Sequence, residues 1–354
     1  MAPMQTTITD LGNMTPPLPQ DSYLDSLRDP AVRDLAWVIG APVLPDAAFP
    51  AYTGRVVDDA WCRTQLQTCA PWLAALDSQP RSLHDFIAAR PTRRLGHYFE
   101  SLIAFWLAYL PGVQIIATNL QVKDSQRTLG EYDFLLRDAS ADICHWEAAV
   151  KFYLQAEPQA EQHVFIGPGA RDRLDLKLDR VFSRQLKLGY TPAGREALPP
   201  GIALNRAQAF IKGYLFYPLI QNATTFMPGA TVPGISRSHL SGWWTRHPVA
   251  ALPQTWPNTG WMILPRLRWL APVRMDADAI VMANGEMCGV LNQHFADSTE
   301  SLQVVELKRL ADHSWRETAR GFVVHATWPQ LDQTLGHAHN KGHILYHDIF
   351  TDIS

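Results

Sequence analysis

Residues 130–153, GEYDFLLRDASADICHWEAAVKFY, read as two strands joined by a short polar turn. Phe134 to Leu136 and Ile143 to Phe152 supply β-branched and aromatic residues, and Asp138, Ser140 and Asp142 supply the turn chemistry between them. A turn centred on Ser140 makes the numbers of paired residues sum to 280, which sets Asp133 across from Glu147. Opposed residues on antiparallel strands have Cβ atoms about 5 Å apart, and like charges there destabilise the pair unless something neutralises them. A divalent cation would do so.

Alternation with a period of two extends the cluster: Glu131 shares a face with Asp133, and Ala149 and Lys151 share one with Glu147. Mg²⁺ takes one or two carboxylates and keeps waters and substrate phosphates, and a lysine beside it can orient an attacking water. These are the parts needed for phosphodiester hydrolysis. The plainer reading is a half-exposed hairpin with Glu131, Glu147 and Lys151 in solvent. Ile143, Trp146, Ala148, Val150 and Phe152 argue against it, because they leave this strand little sign of a water-facing side.

A chain of 354 residues, 47% hydrophobic and 18% charged, is globular and long enough for one large domain or two to three smaller ones. No run of about 18 apolar residues signals a membrane span, and the N-terminus has no secretory pattern, so a cytoplasmic location is expected. Cys62, Cys69, Cys144 and Cys288 lack metal-ligand spacing and suit reduced thiols. With a net charge of -3, any polyanion site must be a local patch.

In chain order, residues 1–25 are Thr- and Pro-rich and are expected to be disordered. Residues 26–90 read as a helical extension, with helices from Asp29, from Asp58 to Leu76 and from Ser82 to Ala89. Residues 91–220 hold an apolar helix whose mid-helix acid is Glu100, a strand at VQIIATNLQV, the hairpin, a helix from Arg171 to Leu188, a loop around Gly194 to Gly201, and a strand at AFIKGYLFYPL. That order predicts a mixed sheet with helices packed on it, an α/β sandwich. Residues 221–330 read as a β-rich region whose tryptophans are mostly core, and 331–354 as a loose tail.

Helix, three strands, helix, strand resembles the core order of the PD-(D/E)XK, or restriction-endonuclease-like, superfamily, and GEYDFLL followed by HWEAAVK resembles its acid, acid-and-lysine signature. More narrowly, VRDLAW, RLGHYFE, TLGEYDFLL, HWEAAVKFYL, the GPG…DRLDLKL run, RQL and RGFVVHATWP look like a bacterial family catalogued as domain of unknown function 1853, over about Asp29 to Pro329. The superfamily resemblance implies metal ligands at Asp133 and Glu147, a catalytic lysine at Lys151, an assisting acid at Glu100 and an auxiliary glutamine at Gln185. One departure stands out: the usual Glu-x-Lys is stretched to Glu147-Ala-Ala-Val-Lys151. Two extra residues are one pleat period, so both side chains keep one face but are displaced by about 7 Å along it.

The helix from Arg171 carries Lys177, Arg180, Arg184 and Lys187 at helical spacing along one face, expected to contact phosphates. Two decoys stand apart. Glu306 and Lys308 form a literal Glu-x-Lys, but STESLQVVELKRLADH reads as a helix, on which they diverge by about 200°. His339, His343 and His347 in the tail lack supporting acidic or cysteine ligands. The expected activity is Mg²⁺-dependent hydrolysis of nucleic acid, DNA first, with Mn²⁺ as the substitute ion, Glu131 and Gln185 as auxiliaries and no membrane partner. Two alternatives stay open: an inactive nuclease-fold module that binds nucleic acid or protein, and a hydrolase of another phosphorylated substrate. Nothing in the sequence sets an oligomeric state.

Overall fold

A computed structural model describes residues 23–125, 127–156, 164–219 and 232–330. The expectations for residues 1–22 and for the His-rich tail lie outside these residues.

Helix α1 (Pro30–Gly40) starts where Asp29 accepts hydrogen bonds from the N–H groups of Ala31 and Val32, both at 3.0 Å, with Pro30 in the first turn. Asp58 caps α2 (Asp59–Ser78) in the same way through Trp61 N–H. Then come α3 (Arg81–Ala88) and α4 (Leu95–Tyr109), the latter stopped ahead of Pro111 and of Gly112 at φ 76°. Trp37, Leu66, Leu73, Phe99 and Trp106 from these helices pack on Phe134, Trp146 and Phe210 of the sheet in one core.

The strands are β1 (Gln114–Lys123), β2 (Thr128–Arg137), β3 (Ile143–Gln155) and β4 (Phe165–Ile166). Helix α5 (Leu174–Ser183), a 3-10 turn (Gln185–Tyr190) and α6 (Pro192–Ala197) lead to β5 (Arg206–Pro218). Beyond it lie β6 (Leu240–Arg246), β7 (Thr259–Ile263), β8 (Arg274–Met275), α7 (Asn284–Asp297), β9 (Leu302–Arg309) and β10 (Trp315–Val324). All ten strands belong to one sheet, ordered β1-β2-β3-β5-β6-β10-β9-β7, with β4 on β3 and β8 on β10. Antiparallel pairs at both ends flank a parallel centre in which β3, β5, β6 and β10 run the same way. On the face opposite α4, Leu178, Val181 and Phe182 of α5 cover Ala207, Ala209 and Ile211. The molecule is therefore a mixed α/β protein built on a large sheet with helices on both faces. No described helix is long and apolar enough to cross a membrane.

The hairpin takes the expected register. Its pairs run from Arg137 with Ile143 to Phe134 with Trp146, each summing to 280. Asp138 organises the turn by accepting from Ser140 and Asp142 N–H, and Ala141 adopts φ 67°. The β2–β3 ladder ends at Phe134 and Trp146. Beyond that point β2 stays with β1, and β3 stays with β5 as far as Leu154.

Three local expectations are corrected. Residues 302–309 are a strand, not a helix. β9 lies between β7 and β10, and burial from Gln303 through Leu307 on both faces erases the period of two that marks a half-exposed strand. Glu306 and Lys308 thus share a face after all. Glu306 is consumed by hydrogen bonds from Thr255 N–H at 2.8 Å and from the Thr255 and Thr318 hydroxyls, and the Lys308 amine lies 3.7 Å from the Trp256 ring centroid. The expected helix from Arg171 to Leu188 breaks at Arg184, which has φ -126° and ψ -61°, so Lys187 leaves the face shared by Lys177 and Arg180. Finally, Pro192–Ala197 is a short helix capped by Thr191, not loop.

Gly213 on β5 has φ 144°, and a Cβ there would lie 1.7 Å from the Lys151 carbonyl oxygen. No side-chain rotation relieves a clash with backbone. Gly213→Ala is expected to cost about 3 kcal/mol or more. Thermal melting checks it: an unchanged midpoint would mean that β3 and β5 do not approach this closely.

Candidate functional site

Because β3 is covered on both sides, its alternate side chains enter two different cores. Trp146, Ala148 and Phe152 join the core beneath α4. His145, Glu147 and Lys151 take the other parity and face α5. Where the β2–β3 ladder ends, the Asp133 carboxylate accepts the Ala148 N–H at 2.9 Å, standing in for a backbone acceptor. Asp133 and Glu147 are both buried.

Glu147 Oε1 accepts a short hydrogen bond from the Gln185 side-chain amide and lies 4.0 Å from Lys177 Nζ. Lys177 in turn donates to Gln185 Oε1 at 3.4 Å. Helix α5 and the turn after it thus close over the acid from one side. Glu147 Oε2 has no hydrogen-bond partner among the described residues, and it lies 3.9 Å from His145 Nε2. That contact is not an ion pair, because burial pushes the imidazole pKa down to about 4 and the Glu147 carboxyl upward.

The carboxylates disfavour one another's charge. Burial raises the Glu147 pKa, repulsion from Asp133 adds to it, and Lys177 opposes it. Burial likewise raises Asp133; the Ala148 hydrogen bond opposes this, while Glu100 and Glu131 reinforce it. Glu100, on α4, is pushed up to about 7 by burial and by Glu131, against a hydrogen bond with the Asn119 side chain. The Lys151 pKa is lowered, first by burial and then by Lys177.

Gln185 thus contacts Glu147, Glu147 feels the charge of Asp133 and Glu131, and Asp133 that of Glu100 and Glu131, while Lys151 lies on the face of β3 that carries Glu147. Lys177, expected as an outer phosphate contact, reaches into this cluster and is the lysine within 4.0 Å of Glu147. Arg180 is exposed and close enough to attract Glu147 weakly. Arg184 and Lys187 stand apart on the surface, Lys187 lining a crevice of about 400 Å³ with Arg55, Arg206 and Tyr190. His145, to which the sequence pattern assigns no role, lies two residues before Glu147 on β3 and shares its face by simple alternation.

Among the described residues, no three His, Cys, Asp or Glu side chains converge on one point. An ion at this site would be held by Asp133 and Glu147, with water completing its shell, which is the habit of Mg²⁺. The unpartnered Glu147 Oε2 and the mutual repulsion of the acids fit such a ligand.

A pH dependence follows. Carboxylates whose pKa values are raised by folding bind protons more tightly in the native state, so stability falls as pH rises from the unfolded values near 4 through the folded values. For Glu100 that window closes at about 7. The protein is expected to lose on the order of 5 °C in Tm between pH 5 and pH 8. A melting point that rose with pH across this range would contradict the raised values.

Fold and site together define a mixed α/β protein with two buried carboxylates, Asp133 and Glu147, where a hairpin ladder ends. The model of one family, a domain of unknown function (DUF1853), matches residues 33–324, and the chain belongs to that family. Neither the search of curated proteins nor that of solved structures returns a match.

Proposed function

We propose that this protein is a metal-dependent nuclease with a restriction-endonuclease-like core, cleaving phosphodiester bonds of nucleic acid, DNA first. The observation that carries the reading is the placement of two buried acids just past the last β2–β3 pair, Phe134 with Trp146: Asp133 accepts the Ala148 N–H at 2.9 Å, and Glu147 lies 4.0 Å from Lys177 of α5. The order α4, β1, β2, β3, α5, β5, with the short β4 and α6 inserted before and after α5, supports the core assignment.

In this reading Asp133 and Glu147 hold Mg²⁺ or Mn²⁺. If bound there, such an ion would supply Lewis acidity toward a phosphoryl oxygen. Glu100, with its pKa near 7, is suited to accept the proton of the attacking water at neutral pH. As that water adds to phosphorus and the bond to the leaving oxygen breaks, Lys177 and Lys151 supply positive charge beside the reacting group. Gln185 fixes the Glu147 carboxylate in orientation.

A second reading, a non-catalytic binding module, draws on the fact that Gln185 and Lys177 already engage Glu147 Oε1. Incubating single- and double-stranded DNA and RNA with the full chain, with Mg²⁺, Mn²⁺ or chelator, separates the two. Metal-dependent cleavage supports the nuclease. Binding without cleavage under every condition supports the module.

A further inference from the structure

The 3-10 turn that holds Gln185 against Glu147 runs on to Tyr190, and a turn of this kind repeats every three residues. Arg184, Lys187 and Tyr190 therefore recur along one side of it, all three exposed, Tyr190 at 52%. Lys187 and Tyr190 line the crevice of about 400 Å³ at the start of β5. Arg206 lines it from β5, and Arg55 from the loop whose carbonyl accepts the Ala209 N–H. Arg206 is neutralised by Asp138 and Asp142, which do not line the crevice. The Arg55 guanidinium donates to the carbonyls of Ala51 and Phe182, which carry no charge, and among the described residues neither Arg55 nor Lys187 forms an ion pair with an acid. The crevice therefore keeps positive charge in excess beside an exposed aromatic ring.

We infer that this crevice seats a single strand of nucleic acid, with an unpaired base stacked on Tyr190 and backbone phosphates held by Arg55 and Lys187. The inference rests on the nuclease reading for the class of partner and adds the form in which the strand arrives. Every base offers a π-face to an aromatic ring, and a basic groove tracks the phosphates. In a duplex those faces are covered by neighbouring base pairs, so the ring selects an unpaired base. Position agrees. Ala207 in the crevice lies two residues before Ala209, the register partner of Glu147, roughly 7 Å along β5. Gln185 and Tyr190 belong to one turn, so a strand held at Tyr190 lies beside the acids.

The test is fluorescence anisotropy of the full chain with a labelled oligothymidylate of about 20 nucleotides and with a duplex of the same length, in chelator, over a series of salt concentrations. Wild type is expected to bind the single strand at least about 10-fold more tightly than the duplex. Tyr190→Ala should lose about 10-fold in single-strand affinity, restored to within about 2-fold in Tyr190→Phe, which keeps the ring. Lys187→Gln should weaken binding about 3-fold and lower the salt slope by about 0.7, the counterion share of one phosphate contact. A merely structural role would move the melting temperature and leave that slope alone. A duplex bound as tightly as the single strand, Tyr190→Ala without effect, or free thymidine monophosphate displacing the strand at equal nucleotide concentration overturns the inference. Metal-dependent cleavage of duplex DNA beside any of these results leaves the nuclease reading standing. Single-strand binding through Tyr190 with no cleavage in Mg²⁺ or Mn²⁺ keeps the crevice and removes the nuclease.

Discussion

On the proposed nuclease reading, Asp133→Asn is expected to abolish divalent-metal binding and to lower cleavage by about 1,000-fold or more, while making the metal-free protein more stable at pH 8. The two effects have one cause. Asp133 and Glu147 disfavour each other's charge, and Glu100 and Glu131 add to the repulsion on Asp133. On that reading an ion would offset the repulsion, so losing one of the two carboxylates would remove its main attraction. Without an ion, the same substitution removes one of the repelling charges. The asparagine carbonyl oxygen can still accept the Ala148 N–H that Asp133 accepts at 2.9 Å, so the local fold has no reason to open. The expected gain is about 1–2 kcal/mol at pH 8 and close to none at pH 5, where the acid is already protonated. Melting curves at both pH values, beside metal titration, test it. A variant destabilised equally at both would mean that Asp133 acts as a structural hydrogen-bond acceptor and not as a repelling ligand.

The second large effect separates the two lysines. Lys177→Ala is expected to cut turnover about 100-fold, in line with loss of a positioned catalytic group, while metal binds as tightly as in wild type or a few-fold tighter. Tighter binding follows because Lys177 Nζ, 4.0 Å from Glu147 Oε1, competes electrostatically with any cation there. Lys151→Ala should cost less than about 10-fold in turnover, because Asp172 acts on Lys151 more strongly than Glu147 does. Steady-state kinetics with metal affinities measured on the same samples resolve kcat from binding. The reverse order, with Lys151 the larger loss, would return the catalytic role to the lysine on the strand. Equal and small losses in both would favour the binding module.

What could be read from the residues alone was local. Asp138, Ser140 and Asp142 define a turn, and with it every pair of the hairpin, because turn chemistry and the two-residue pleat act over a few residues. Asp29 and Asp58 announce the starts of α1 and α2 for the same reason. That register puts Asp133 and Glu147 next in line after the last ladder pair, Phe134 with Trp146, and alternation along β3 puts His145 on the face of Glu147.

What the sequence could not decide depends on contacts between distant segments. Leu302–Arg309 reads as helix until β7 and β10 are seen to bury both of its faces. That the later strands β6 to β10 continue the sheet of β1 to β5 rests on pairings such as Tyr214 with Leu240 and Gly321 with Trp243, for which no local pattern codes. Which lysine serves Glu147 is of the same kind. Lys151 is close in sequence but displaced along the strand, whereas Lys177 is brought near by the packing of Leu178, Val181 and Phe182 against Ala207, Ala209 and Ile211. Spacing along a strand sets the face a side chain takes; only the docking of a helix on that face sets which charge meets it.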